Sequence, residues 1–136
     1  MTFSLHPQLA ADFHHLHALD GCHILLRRNA LIPWYIIVPE TDLSELDRLP
    51  DRQRQQVYGL GDQLARFVRD THGSQRVNVA AIGNLVPQLH LHVIGRSPGD
   101  PCWPGVVWGQ LPDGPDWSEQ ELGNLRRKLA QALTAG

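Results

Sequence analysis

The stretch Gln88-Leu89-His90-Leu91-His92-Val93-Ile94 decides how this chain is read. Polar and apolar residues alternate along it with a period of two, which predicts a β-strand over Leu89 to Arg96. Strand side chains alternate between faces, so Gln88, His90 and His92 point one way and Leu89, Leu91 and Val93 the other. The apolar side is a candidate core face. The other side carries an amide and two imidazoles, with alternate Cα atoms about 7 Å apart. Imidazole suits acid, base or nucleophilic work near neutral pH. As a nucleophile it can attack phosphorus and divide one hard displacement into two. By itself, His-x-His on a strand is also compatible with a structural pair or with two ligands of a zinc site. Zinc needs at least a third protein ligand, and neither Cys22 nor Cys102 stands at a spacing that completes one.

Working outward, Arg76 to Ile82 alternates through Val77, Val79 and Ala81 and predicts another strand. Before it, Asp51 to Thr71 is helical: Val57, Leu60, Leu64, Phe67 and Val68 form one stripe, and Gly73 marks the stop. Gly59 and Gly61 inside this helix each cost about 1 kcal/mol relative to Ala, a cost that close packing against a sheet would explain. Asp42 and Glu45 make a capping-box-like pair for a short helix that Leu49-Pro50 ends, and Pro50 suits the first turn of the long helix. Trp34 to Val38 and Cys22 to Leu26 read as strands of a hairpin across the polar turn Arg27-Arg28-Asn29-Ala30. Leu9, Phe13, Leu16 and Leu19 recur at roughly helical spacing, predicting a helix or helical turn over residues 6 to 19. On the other side, Ser97 to Asp116 holds Pro98, Pro101, Pro104, Pro112 and Pro115 and reads as a loop. Ser118 and Glu121 then offer a second capping box, and Leu122, Leu125, Leu129 and Leu133 share a helical face. A C-terminal helix is therefore expected within 116–136, ending before Ala135-Gly136. The elements show no regular βαβ repeat, which argues for an α+β fold with a mainly antiparallel sheet.

The chain has 136 residues, a length that suits one domain, 1–136, with a core of its own. Twelve Lys plus Arg against fourteen Asp plus Glu gives a net charge of −2, so no basic excess points to a nucleic-acid polymer as partner. The longest apolar-looking run, Leu31 to Pro39, is broken by Pro33, whereas a membrane span needs about 20 apolar residues. The start, Met1-Thr2-Phe3-Ser4-Leu5-His6-Pro7, has neither a charged beginning nor a sustained apolar stretch, so no secretory signal is expected. Cys22 and Cys102 form no CxxC and no disulfide framework. These features read as a reduced, cytoplasmic protein with no membrane partner.

Asn78-Val79-Ala80-Ala81-Ile82-Gly83-Asn84-Leu85-Val86-Pro87 runs directly into Gln88-Leu89-His90-Leu91-His92-Val93-Ile94-Gly95-Arg96, and Trp103-Pro104 follows. This pattern resembles the histidine-triad (HIT) superfamily, whose signature is His-φ-His-φ-His-φ-φ with φ apolar. The resemblance extends upstream through a strand pair, the strand end Val38-Pro39, a long helix and a strand near Asn78, covering residues 20 to 105. It is nearest to small bacterial HIT proteins similar to diadenosine-polyphosphate hydrolases. The resemblance implies an antiparallel sheet of about five strands with the 51–71 helix packed on it, and a homodimer joined through that helix and an edge strand. It implies a hydrolase that cleaves a phosphoanhydride or phosphoramidate at the α-phosphate of a nucleoside phosphate or dinucleoside polyphosphate, through a covalent nucleotidyl-histidine. No cofactor is implied, and no metal is required by the chain itself, although a divalent ion can accompany a polyphosphate substrate.

The same resemblance assigns roles. His90 is the nucleophile, the backbone carbonyl of Gln88 orients its ring, and His92 contacts the phosphate or leaving group. Gln88 stands where the signature has its first histidine. An amide donates and accepts hydrogen bonds but cannot carry a proton to a leaving group, so leaving-group protonation falls to His92 or solvent, while Gln88 can still hold a non-bridging oxygen. Asn78 and Asn84 match phosphate-contacting positions, and Asn29 matches a ribose contact; each is also ordinary strand-end or turn chemistry. Leu25, Leu26 and Ile32 suit either a nucleobase pocket or the core. Trp34 occupies a position where many relatives have histidine and is expected to pack. Arg96 can meet a distal phosphate or a partner chain, or stand solvated. Trp103 and Trp108 fit a loop near the site or the dimer contact, or simple anchoring on the core. His14, His15 and His17 read as surface histidines, with His14 and His17 on one helix face. Two rivals follow: a degenerate HIT module that binds a nucleotide with little turnover, favoured by Gln88, and a zinc-binding structural domain using His90 and His92.

Overall fold

The computed structural model describes residues 3–134. In chain order it holds helix α1 (Pro7–Asp12), strands β1 (Phe13–Leu19), β2 (Cys22–Arg27) and β3 (Trp34–Pro39), helix α2 (Asp51–His72), strands β4 (Arg76–Ala81) and β5 (Leu91–Arg96), and helix α3 (Glu119–Ala132). Met1, Thr2, Ala135 and Gly136, and with them the readings of the extreme termini, lie outside the described residues.

The strands form one sheet in the order β1-β2-β3-β5-β4, each neighbouring pair antiparallel. Every residue of the central β3 is buried, because both faces of the sheet are covered. Tyr35 and Ile37 of β3 and Leu91 and Val93 of β5 pack with the Val57/Leu60/Leu64/Phe67/Val68 stripe of α2 and with Leu122, Leu125 and Leu129 of α3. Trp34, Ile36, Val38, Leu25 and Ile94 form a second core with Leu9 and Phe13 from the N-terminal segment and Val107 from the loop after β5. The α+β fold with an antiparallel five-stranded sheet therefore stands as expected, and β5 presents Leu91 and Val93 to the helices and His92 and Ile94 to the opposite layer. No helix among the described residues is long and apolar enough to cross a membrane.

The long helix ends as the glycine signal predicts: Gly73 adopts φ 67°, and its N–H bonds the carbonyl of Arg69 at 3.0 Å. Packing accounts for one of its two internal glycines. A Cβ on Gly61 would lie 3.2 Å from Leu91 Cδ2 of β5, whereas Gly59 faces open space. Gly95 of β5 is tighter still, since a Cβ there would collide with Ser74 Oγ, Val68 and Pro33. At α3 the capping box is complete: Ser118 Oγ accepts from Glu121 N–H at 3.1 Å and Glu121 Oε1 from Ser118 N–H at 2.8 Å.

Three local expectations are corrected. The helix predicted over residues 6 to 19 ends at Asp12, and Phe13–Leu19 is the fifth strand, paired with β2. A bulge explains the misleading spacing. The register runs His15↔Leu25 and then His17↔Ile24, so Leu16 is an extra residue. Phe13 and Leu16 consequently serve opposite cores, although three residues apart they imitate a helical stripe. The capping box at Asp42/Glu45 does not form either. A three-residue 3₁₀ turn, Leu46–Arg48, follows Glu45 with no side-chain cap, while Thr41 Oγ1 closes a local turn on Leu43 N–H at 3.1 Å. The strand predicted from Leu89 begins at Leu91.

Candidate active site

His92 lies inside β5, paired with Ile36 of β3 on one side and Ala80 of β4 on the other, and His90 immediately precedes the strand. Both are almost fully buried, yet both border one open cavity of about 820 Å³. Their ring centroids are 4.7 Å apart at 68°. The Nδ1–H of His90 donates to the backbone carbonyl of Gln88 at 2.7 Å, which leaves Nε2 with its lone pair. Burial lowers the pKa of His90, and the Gln88 carbonyl works partly against that. On the neighbouring ring, Nδ1 of His92 accepts the indole N–H of Trp34 at 3.0 Å. Burial first, then the proximity of His90 and of Arg27, pushes the His92 imidazole down to about 4, against a weaker opposing effect of the Ile82 backbone. Near pH 7 His92 is therefore neutral, with its proton on Nε2. From Nε2 it can donate a hydrogen bond, and of the two sources expected for a leaving-group proton, His92 and solvent, its neutral state favours solvent.

The cavity walls come from distant parts of the chain: Trp34, Trp108, Asn84 from the loop after β4, Arg27 at the end of β2, and His6 before α1. The Arg27 guanidinium lies 4.6 Å from the Trp34 ring centroid, and among the described residues its side chain has no hydrogen-bonding or ionic partner. It is the cation that sequence reading passed over as a turn residue. The signal was present, because Leu25 and Arg27 share a strand face and Leu25 packs in the core on the site side.

The residues expected in the site divide. His90, His92 and Asn84 come together on the cavity. The side chain of Gln88 turns away to the N-terminal segment, where Oε1 accepts from His6 N–H at 2.7 Å and Nε2 donates to the Ser4 carbonyl at 3.0 Å. Asn78 Oδ1 accepts from Arg96 at 3.0 Å. Arg96 is neither solvated nor in the site: it is buried and pairs with Asp100 through Nε at 2.8 Å and Nη2 at 3.1 Å. Burial works to raise the Asp100 carboxyl, but Arg96 and the Ser97 and Cys102 N–H groups hold it down to about 2. Asn29 ties its own loop, donating to the Pro112 carbonyl at 2.8 Å and accepting from Leu31 N–H at 3.1 Å. Leu25, Leu26 and Ile32 are core residues with no exposure. Trp34 packs, as expected, and also orients His92.

The N-terminal histidines sit on β1 rather than on a helix. His14 pairs with Asp116 at 2.7 Å, and His15 with His23 at 2.8 Å. Among the described residues, no group of three or more His, Cys, Asp or Glu gathers as a metal site. A smaller cavity of about 290 Å³ beside Asp20, Cys22 and Arg52 carries no imidazole. Burial pushes the Cys22 thiol there up to about 11, which keeps it unreactive near neutrality.

Comparison with known proteins agrees with this fold. Residues 10–99 match the family described as HIT domain. Among solved structures, a histidine triad protein from Marinobacter aquaeolei VT8 is 41% identical, covering 96% of each chain with a TM-score of 0.88. A histidine triad protein from Bradyrhizobium japonicum is 31% identical over 97% of this chain and 98% of that one, with a TM-score of 0.89. A histidine triad (HIT) protein from Sinorhizobium meliloti 1021 is 33% identical with the same coverage and a TM-score of 0.90. No curated protein matches the sequence.

Proposed function

Because the chain belongs to the HIT family, we propose that it is a nucleotidyl hydrolase acting through a covalent intermediate on His90. The observation that carries this reading is the 2.7 Å bond from His90 Nδ1–H to the Gln88 carbonyl, which frees Nε2 beside a cavity of nucleotide size. In the first step the Nε2 lone pair forms a bond to the α-phosphorus as the bond to the leaving group breaks. The charge that develops on the ring is shared through Nδ1–H with the Gln88 carbonyl. Water then attacks phosphorus, the P–N bond breaks, the water proton passes to solvent, and His90 returns to its neutral form. A polyphosphate departs from such a site as an anion without needing a proton, whereas an amine needs one. Neutral His92 contributes a hydrogen bond from Nε2, Arg27 supplies positive charge for the phosphates, and Asn84 a polar contact.

The proposed molecule is a cytoplasmic homodimer. Two free cysteines suit a reducing compartment. The sheet edge β4 carries exposed Val79, and α2 carries exposed Tyr58, surfaces suited to pairing with a second copy.

One observation favours the second reading, a nucleotide-binding module with little turnover: the side chain of Gln88 is engaged away from the cavity and, as an amide, carries no proton for a leaving group. A single experiment separates the two. The protein is mixed with diadenosine tetraphosphate or an adenosine phosphoramidate, quenched, and analysed by mass spectrometry alongside release of AMP. An adenylyl adduct on His90 and its loss in His90→Ala support the hydrolase. Tight AMP binding with neither adduct nor product supports the module, and turnover retained in His90→Ala rejects the assignment of the nucleophile.

A further inference from the structure

Gln88 holds two imidazoles. Its backbone carbonyl fixes His90. Its side chain fixes the backbone on either side of Leu5, accepting from His6 N–H and donating to the Ser4 carbonyl, across 82 residues of sequence in the first case. An amide presents its acceptor and donor on one edge, which matches a peptide C=O and N–H two residues apart, whereas the two nitrogens of an imidazole point away from each other. The substitution that removes a signature histidine thus brings in a side chain suited to this grip.

The grip sets His6 on the wall of the cavity that His90 and His92 border. The His6 ring is turned by a further bond, since Nδ1 accepts the N–H of Gln8 at 3.0 Å. A neutral imidazole so held carries its proton on Nε2, and that N–H has no partner among the described residues. The neighbouring carboxylate, Asp12, is engaged by Gln8 Nε2 at 2.9 Å.

We propose that His6 is a substrate-binding residue of this site, donating Nε2–H to an oxygen of the phosphate that His90 attacks, and that Gln88 is the positioning residue that holds it there. The inference rests on reading His90 as the nucleophile toward a nucleotide phosphate. The contact is a hydrogen bond from the ring nitrogen that Gln8 leaves free, so it supplies part of the phosphate-binding capacity of the missing signature histidine.

The decisive variant is His6→Asn. Asn is a strong helix N-cap and preserves the bond to Gln8 N–H, but it is too short to reach where Nε2 stands. The rate of adenylyl-adduct formation on His90 from diadenosine tetraphosphate is expected to fall by about tenfold or more, the usual scale for a lost hydrogen bond to a charged group, with the melting temperature unchanged. His6→Gln, which restores the reach, is expected to recover part of the rate. Gln88→Ala is expected to slow the reaction similarly, and the double variant His6→Asn/Gln88→Ala to be no slower than the worse single one, because both act through one contact. A His6→Asn rate within about twofold of wild type, where the lost bond predicts tenfold, or fully additive losses in the double variant, overturns the proposal. If the wild-type protein forms no adduct, the His90 reading fails by itself. AMP affinity by calorimetry then decides for His6: weakening in His6→Asn supports the contact, and equal affinity, or no binding to wild type, overturns it.

Discussion

Trp34 donates its indole N–H to Nδ1 of His92 across 3.0 Å, so a residue buried in the central strand determines which nitrogen of a site histidine keeps its proton. Protonating Nδ1 would break this bond. Trp34→Phe keeps an aromatic ring in the core but removes the donor. The expected result is a rise of the His92 pKa from about 4, held short of the ordinary imidazole value by the burial that remains. Loss of the bond and of part of the ring volume should cost about 1–3 kcal/mol of stability. Titration of the His92 ring signals by NMR measures the first effect and urea unfolding the second. An unmoved His92 titration would contradict the orienting role.

Burial of neutral histidines makes the fold sensitive to acid. Burial pushes His92, and burial with help from Lys128 pushes His72, from 6.5 down to about 4. Nε2 of His72 also accepts the Tyr35 hydroxyl at 2.7 Å, whose own pKa burial raises. In the unfolded chain both rings take up protons near pH 6.5, while the native state refuses them until about 4. Their contribution is therefore complete above pH 6.5 and is lost as the pH falls to about 4. For His92 this amounts to something on the order of 3 kcal/mol; for half-buried His72, solvent screening makes it smaller. Urea unfolding at pH 7.5, 5.5 and 4.5 should show a falling midpoint, and His72→Gln should flatten the dependence. A midpoint constant across this range would show that the two rings titrate alike in both states.

The long helix was legible because Val57 to Val68 keeps its stripe for three turns, β5 because Gln88 to Val93 alternates, and β3 because Trp34 to Val38 is a run of aromatic and β-branched residues between two prolines. The fifth strand was hidden by the bulge at Leu16, a local change of register that no periodicity reveals. Within the site, His90, His92 and Asn84 were legible from a single stretch of chain. Asn78 and Asn29 were misleading because an amide that ties down Arg96 or closes a loop looks the same in sequence as one that meets a ligand. Arg27 and His6 were missed for the opposite reason. They reach the cavity only through tertiary structure, Arg27 along the strand beside Trp34 and His6 through the grip of Gln88.

Arg27 provides a test of how the site handles charge. Its guanidinium stacks on Trp34 at 4.6 Å and has no anionic partner among the described residues, so a bound phosphate would be its natural counterion. Arg27→Ala should weaken AMP binding by about tenfold, the scale of a charged hydrogen bond, while leaving the weaker binding of adenosine almost unchanged. Arg27→Lys should restore little, because an ammonium neither stacks on the indole nor presents a planar fork. Calorimetry with AMP and adenosine distinguishes the cases, and equal losses for both ligands would assign Arg27 to the base or ribose rather than to phosphate.

A histidine at position 88, where the resemblance to the signature puts one, should not improve the site. In Gln88→His the backbone carbonyl survives, so His90 keeps the acceptor for its Nδ1–H and remains oriented for attack. The paired bonds to Ser4 and His6, at 3.0 and 2.7 Å, are lost together, because imidazole nitrogens diverge where the amide edge does not. The N-terminal segment is then expected to loosen, with faster hydrogen exchange at His6 N–H and faster proteolysis ahead of α1. Turnover of diadenosine tetraphosphate, whose leaving group needs no proton, should fall. Turnover of a phosphoramidate, whose amine does need one, should fall less or recover in part, since the new imidazole can carry a proton. An increase with both substrates and an undisturbed N-terminal segment would mean that position 88 serves the reaction directly, and that its grip on residues 4 to 6 is incidental.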